Sequence, residues 1–297
     1  VLGAGAPRAE KCAGCGVCDR KSGRTIRLDA QGSSPLAVSS DQRLVAQASK
    51  LMPAQKIRVK FAKREEVKFI SHLDLINVFT RAFRRAEIPI AYSHGFNPHP
   101  KISFGSVLPV GTTSEAEFAD VDLDVYIDPD DFAARVNSCL VPGVEVLKAQ
   151  ETALKSQPLM AQVNFASYVV RVHGVKGEEI PGLESRILNL PDRDHLWIER
   201  IQKPRGDTKK PETRSFVDIK PFVRDVKLLG YTDEMLELEM MLGDGTKGKV
   251  RPEELVRILL MGSKDPFAQK NDSIEKMSLD IQKTGSFIER QGRLFSP

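Results

Sequence analysis

Nothing in this sequence approaches the roughly 20 consecutive apolar residues that a membrane-spanning helix needs, so a bilayer span is excluded. The opening Val1 to Pro7 is small and apolar but has neither the basic start nor the long apolar stretch of an export signal, and the chain reads as cytoplasmic. Charge of one sign is scarce too. A net charge of +4 over 297 residues is milder than proteins held to nucleic acid by bulk charge usually show. There are four cysteines, and Cys12, Cys15 and Cys18 crowd together. Two-residue spacings strain a disulfide, so this cluster suits metal thiolates in a reducing compartment. Three local ligands leave a tetrahedral zinc one short, to be supplied by Cys139, a histidine or a residue before Val1, and an iron–sulfur site is the other fit. An inert knuckle without metal is the alternative.

What is present is the composition of a soluble globular protein, 41% apolar and 28% charged, at a length that suits two cores rather than one. The expected organisation is a Cys knuckle over 1–20, a linker over 21–52, a first domain over 53–150, a linker over 151–162, a second domain over 163–262 and a tail over 263–297. In the first domain Ile57, Val59 and Phe61 alternate with Lys56, Arg58 and Lys60, which predicts a strand. Ser71 followed three residues on by Asp74 makes a capping-box variant. Leu75, Ile76, Phe79, Ala82, Phe83 and Ala86 then recur at helical spacing, with Arg81, Arg84 and Arg85 on the other face. Short strands are expected at 88–92 and 102–108, around a loop over 93–101 that Gly95, Pro98 and Pro100 keep irregular. Val121 to Ile127 alternates cleanly, Asp128-Pro129 opens a helix, and 144–147 closes the unit. The acids between Glu115 and Asp131 are expected to face solvent.

This succession of strand, helix, strand, strand, helix, strand is that of a ferredoxin-like fold, and a similar order recurs from Phe165 to Leu260. The expected fold class is therefore α+β: two tandem ferredoxin-like units behind a small Cys knuckle. In the tail, one strand is expected at 286–289.

Local charge is more telling than the total. Between Lys56 and Lys101 ten Lys or Arg face four acids, so this region is where an anionic partner would bind. Within it Tyr92, Phe96 and Phe104 offer stacking faces, and prolines on both sides of His99 restrict how His99 and Lys101 are presented, so little ordering entropy is lost on binding. The nucleic-acid-binding candidates are Arg81, Arg84, Arg85, Tyr92, Ser93, Phe96, Asn97, His99 and Lys101. The bland reading is a rigid turn with Phe96 packed in the core and an arginine face that is merely solvated. A catalytic reading takes His72 or His99 as general base and Asp74 as orienter. A second basic stretch, Arg200 to Arg214 with Pro204 and Pro211, reads as a solvated hairpin loop or a second nucleic-acid arm. His173 and His195 read as structural.

The stretches Phe69-Ile-Ser-His-Leu-Asp-Leu75, Arg84-Arg-Ala86, Ala91-Tyr-Ser93, Gly95-Phe-Asn-Pro-His-Pro-Lys101, Ser103-Phe-Gly105 and Leu108-Pro-Val-Gly111 carry a resemblance to the radical SAM-associated domain family, which has no settled biochemical function. The resemblance is strong over 57–127 and continues weakly to Leu260. His94 departs from the acid expected there. Members stand alone or fused behind a radical SAM enzyme, so the resemblance implies a radical SAM partner in cis or in trans, and transfer or ribosomal RNA as substrate. A chain that opens at Val1 just before Cys12 to Cys18 looks like the trailing piece of such a fusion. The Cys-x-x-x-Cys-x-x-Cys radical SAM signature is absent, and radical chemistry is not assigned to these residues. Three functions are thus carried forward: an RNA-binding accessory module, a small acid–base enzyme using His72, Asp74 and His99, and a protein docking domain without RNA contact.

Overall fold

The computed structural model describes residues 53–94, 96–202, 212–261 and 277–297. Cys12, Cys15, Cys18 and the metal site expected there lie outside the described residues, as do Gly95 and residues 203–211 of the basic connector. No helix among the described residues is long and apolar enough to cross a membrane.

In the first half, β1 (Gln55–Lys63) leads to α1 (His72–Arg85), β2 (Ile102–Phe104), β3 (Thr112–Leu123), α2 (Pro129–Asn137) and β4 (Val144–Thr152). The expected helix start is present: Ser71 Oγ accepts from the Asp74 N–H, and the Asp74 carboxylate returns to the Ser71 N–H, closing the box. Asp128 caps α2 through the N–H groups of Asp130 and Asp131, with Pro129 at its first turn. β1 pairs antiparallel with β3 and β4, and β2 pairs antiparallel with β3, so the strands lie in the order β4-β1-β3-β2. The apolar stripes of α1 and α2 cover one face of these strands. Phe61, Phe79, Phe83 and Phe132 meet there, with the Phe61 and Phe79 rings edge to face at 4.9 Å.

A short helix, α3 (Leu159–Gln162), precedes the second half. There β5 (Phe165–His173), α4 (Ile180–Leu188), the hairpin β6 (Trp197–Gln202) and β7 (Thr213–Asp218), β8 (Val223–Thr232), β9 (Met235–Gly245), β10 (Gly248–Lys249), α5 (Pro252–Met261), β11 (Ser278–Arg290) and β12 (Arg293–Phe295) follow. Its main strands lie in the order β11-β5-β9-β8, all antiparallel. The β6–β7 hairpin forms a small sheet of its own. A second apolar core joins these strands to Leu183 of α4 and Leu255, Val256 and Leu259 of α5.

Two separate sheets were expected, and here the structure corrects the reading. Among the described residues the protein is α+β, with one mixed ten-stranded sheet and five α-helices. β11 joins the halves, running antiparallel to β5 and parallel to the start of β3, where Ile281 to Lys283 pair with Thr112 to Ser114. The segment read as a tail with one strand at 286–289 therefore supplies a 13-residue strand that has a neighbour on both sides.

Candidate functional site

β3 shares one edge between two strands. β11 pairs with its first residues and β2 with Ala119 to Val121. The two neighbours diverge between these points, and the fork opens a cleft lined by Phe61, Lys63, Ile70, Ser71, His72, Leu75, Phe104, Ser106, Leu108 and Glu117, with room for about a single water. Three of the stretches that carried the family resemblance, 69–75, 103–105 and 108–111, meet around it. Lys63 sets the wall by donating to the carbonyls of Lys68 (2.8 Å) and Ile70 (3.3 Å). Gly111, at a φ of +86° that favours glycine, donates its N–H to the Lys68 carbonyl and lies against the Phe69 ring.

Beneath the cleft lies a buried charge network. Lys283 of β11, only 1% exposed, is 3.0 Å from Glu117 Oε1 of β3 and donates at 3.0 Å to Asp244 Oδ2 of β9 and at 2.9 Å to Ser106 Oγ. Ser106 donates in turn to Asp244 (2.5 Å), and Lys249 reaches Asp244 Oδ1 at 2.8 Å and the Val107 carbonyl at 3.1 Å. Burial alone would drive the Lys283 ammonium down, but the charges of Glu117 and Asp244 outweigh it and hold Lys283 above its ordinary range. Burial likewise pushes the Asp244 carboxyl up, and Lys283 and Lys249 reverse this to leave it low. Both stay charged at neutral pH. The acids of β3 do not all face solvent as expected: Glu117 and Asp120 are each 4% exposed, and Asp120 forms a two-point pair with Arg58 at 2.7 and 3.0 Å on the opposite sheet face.

His72 stands over this network, half-buried, with its ring edge-on to Phe104 at 5.2 Å. Burial lowers its pKa, against the opposing pull of Glu117, so it is neutral near pH 7. It makes no hydrogen bond among the described residues. Asp74 is occupied with Ser71, whose Oγ donates to it at 2.7 Å, and does not orient His72. His99 is on the exposed loop, and no hydrogen bond or ion pair among the described residues links any two of His72, Asp74 and His99.

The loop over 93–101 leaves the other end of the same sheet. Tyr92 bridges to Pro100, and Ser93 closes the loop by exchanging hydrogen bonds with His99, its N–H to the His99 carbonyl (2.8 Å) and its Oγ from the His99 N–H (2.9 Å). Ser93 is thus a loop-closing residue. Phe96 is fully exposed at the tip, and His94, Asn97 and His99 are exposed with it. The alternative in which Phe96 fills the core is excluded. Lys101 is level with Asp122, whose carboxylate senses its charge, and by strand alternation both lie on the sheet face away from α1. Arg81 and Arg84 are exposed without an ion-pair partner among the described residues, whereas Arg85 donates to the Cys139 carbonyl. The basic candidates therefore occupy two faces of one sheet end, with the aromatic loop between them.

Two features escaped the sequence reading. One is the Lys283 network. The other is His195, exposed, whose Nδ1 is 2.7 Å from Asp218 Oδ2 beside the ring of Trp197. Burial raises the Asp218 carboxyl, but the hydrogen bonds from His195, Leu196 and Lys220 bring it below its ordinary value. Cys139 is half-buried against the first core, and no group of His, Cys, Asp and Glu among the described residues is arranged to hold a metal.

The profile of a family described as an uncharacterized protein conserved in bacteria (DUF2344) matches residues 56–252. No curated protein matches. Among solved structures, similarity is found to a Cbf5–Nop10–Gar1 complex (10% identity, TM-score 0.37, 83% of this chain and 52% of that chain). It is also found to an archaeal box H/ACA Nop10–Cbf5 complex (8%, 0.37, 79% and 50%) and to an H/ACA particle bound to a substrate RNA containing 2′-deoxyuridine (10%, 0.36, 85% and 51%). This chain spans about half the length of those chains, and the likeness is a distant one of fold.

Proposed function

We propose, for a chain that belongs to the uncharacterized bacterial family DUF2344, that the loop over 93–101 and the arginine end of α1 form a contact surface for unpaired RNA. On this reading the protein is an accessory module that presents transfer or ribosomal RNA to a radical SAM enzyme in cis or in trans. The RNA-contact part rests on one observation above others: Phe96 stands fully exposed on a loop closed by Ser93 and His99 and braced by Pro98 and Pro100. A large apolar ring held in water has no folding role, and an exposed aromatic face on a sheet end that carries Lys101 on one face and Arg81 and Arg84 on the other offers a base a stacking surface with cations for the phosphates on either side. The radical SAM partner and the RNA class are supported by the sequence resemblance. The same reading takes the halves as duplicated ferredoxin-like units, supported by the matching orders β4-β1-β3-β2 and β11-β5-β9-β8 with β6–β7 as an insertion.

Fluorescence anisotropy with an unstructured RNA oligonucleotide tests the contact. Affinity is expected to fall log-linearly with salt, with a slope of about −0.7 per phosphate engaged. Phe96→Ala is expected to weaken binding by about 1–3 kcal/mol, or roughly 5- to 150-fold, without changing that slope. Binding that is absent at low ionic strength, or indifferent to Phe96, contradicts the reading.

A further inference from the structure

The cleft at the fork of β2 and β11 holds two polar groups with nothing to bind. Glu117 is 4% exposed, and both of its partners, Lys283 Nζ (3.0 Å) and Ser114 Oγ (3.0 Å), meet Oε1. Its other oxygen, Oε2, has no hydrogen-bond partner among the described residues. His72 lines the same cleft, equally without one, and no hydrogen bond joins the two groups. Oε2 is not sealed from water, and the imidazole lining the same cleft offers a donor or an acceptor. The gap holds about a single water-sized polar atom. Whatever enters therefore does so by an edge.

The mouth has a different character. Phe69, Leu73, Val107 and Val110 are all largely exposed and come from the segments that frame the cleft. Rigid placement of this rim is built in: the 64–70 segment is held by Lys63 and Gly111, and the segment after Ser106 by Lys249 on the Val107 carbonyl. Apolar walls around a shallow polar floor suit a flat, uncharged ring with hydrogen-bonding groups along one side.

We infer that this cleft is a binding site for one unpaired nucleobase, whose face lies on the Phe69–Leu73–Val107–Val110 rim and whose polar edge reaches Glu117 Oε2 and His72. Glu117 accepts from an N–H of the base. His72 supplies the complementary donor or acceptor. Lys283, itself held by Ser106 and Asp244, acts as a positioning residue that fixes Glu117 Oε1 and so aims the carboxylate. This rests on the RNA reading and specifies it: β2 runs from the Phe96 loop to the cleft, a span of three residues or about 10 Å, so a strand stacked on Phe96 can place a nearby base in the mouth.

The experiment is a titration of the full chain, labelled with nitrogen-15 in its histidine rings, with uridine, cytidine, adenosine and guanosine in turn and with ribose 5-phosphate as an anion control. At least one nucleoside is expected to shift the His72 ring resonances saturably while those of His94 and His99 stay in place. His72→Phe, which keeps an aromatic ring against Phe104, is expected to lose nucleoside affinity at least tenfold while RNA binding retains its dependence on Phe96. A shift of His72 by ribose 5-phosphate alone makes the cleft an anion site and overturns the inference. Silence at His72 for every nucleoside, with Phe96-dependent RNA binding intact, overturns it and leaves the loop reading standing. Loss of both RNA and nucleoside binding overturns the two together.

Discussion

A chain ending at residue 276 is expected to lose cooperative folding altogether. β11 sits between β3 and β5, in register with β5 from Ser278 opposite His173 to Phe287 opposite Phe165, and with β3 at Thr112 to Ser114. Its removal exposes two strand edges and takes Ile281 out of the second core. It also strands Glu117 and Asp244 as buried acids without their lysine. None of the helices can compensate, because among the described residues no other strand pairs across the two halves. The urea transition should flatten and a dye that reports exposed apolar surface should bind strongly. Ending the chain after Arg290 instead removes only β12, a three-residue strand paired with β11 alone, and should leave the urea midpoint nearly unchanged. A sharp native-like transition in the shorter chain would contradict the central place given to β11.

The second large effect is Lys283→Met, expected to cost about 3–5 kcal/mol in urea unfolding, or roughly 10 °C in midpoint temperature. Methionine restores the volume but leaves Glu117 buried without its lysine and Asp244 with Lys249 alone. The pH dependence carries the sign of this explanation. In the native protein Asp244 is held below its usual value, so its pairing contributes above pH 3.8 and is lost as pH falls through the lower folded value. Lys283 is held above 10.5, so its contribution is complete below that pH and is lost only as pH rises through the higher folded value. In the variant the opposing charge of Lys283 is gone, so burial weighs more heavily on the acids and protonation relieves it. The stability gap between native protein and variant should therefore narrow on acidification. A gap that stays constant would mean that packing, not charge, is what Lys283 contributes.

Much of the first half was legible because local signals agreed there. Ser71 and Asp74 announced the start of α1, Asp128-Pro129 that of α2, and alternation marked β1. β11 was hidden for a physical reason. Its buried positions include Lys283 and Ser286, which read as exposed, and the register shift at Gly285 interrupts its alternation. β8, an edge strand that exposes most of its residues, offered little apolar pattern to find. The cleft was hidden because Lys283 and Asp244 come from distant points in the chain and no spacing rule joins them to Glu117. One clue was available: Glu117 has the parity of Ala119, Val121 and Leu123, the face of β3 that packs on α1, so an acid there needed a buried partner. The prolines marked the loop as irregular and braced, while the face on which Lys101 lies follows from its pairing with Asp122, which sequence alone does not reveal.

The most direct test of the central claim, that RNA meets this protein on the Phe96 loop, is ultraviolet cross-linking of the full chain to an unstructured oligonucleotide at low salt, followed by mass mapping of the adducts. Adducts are expected within 92–101, on Phe96 and Tyr92 first, and should vanish from that peptide in Phe96→Ala. Adducts confined to the β6–β7 hairpin around Trp197, or a loop peptide left unmodified under conditions where RNA is bound, would contradict it.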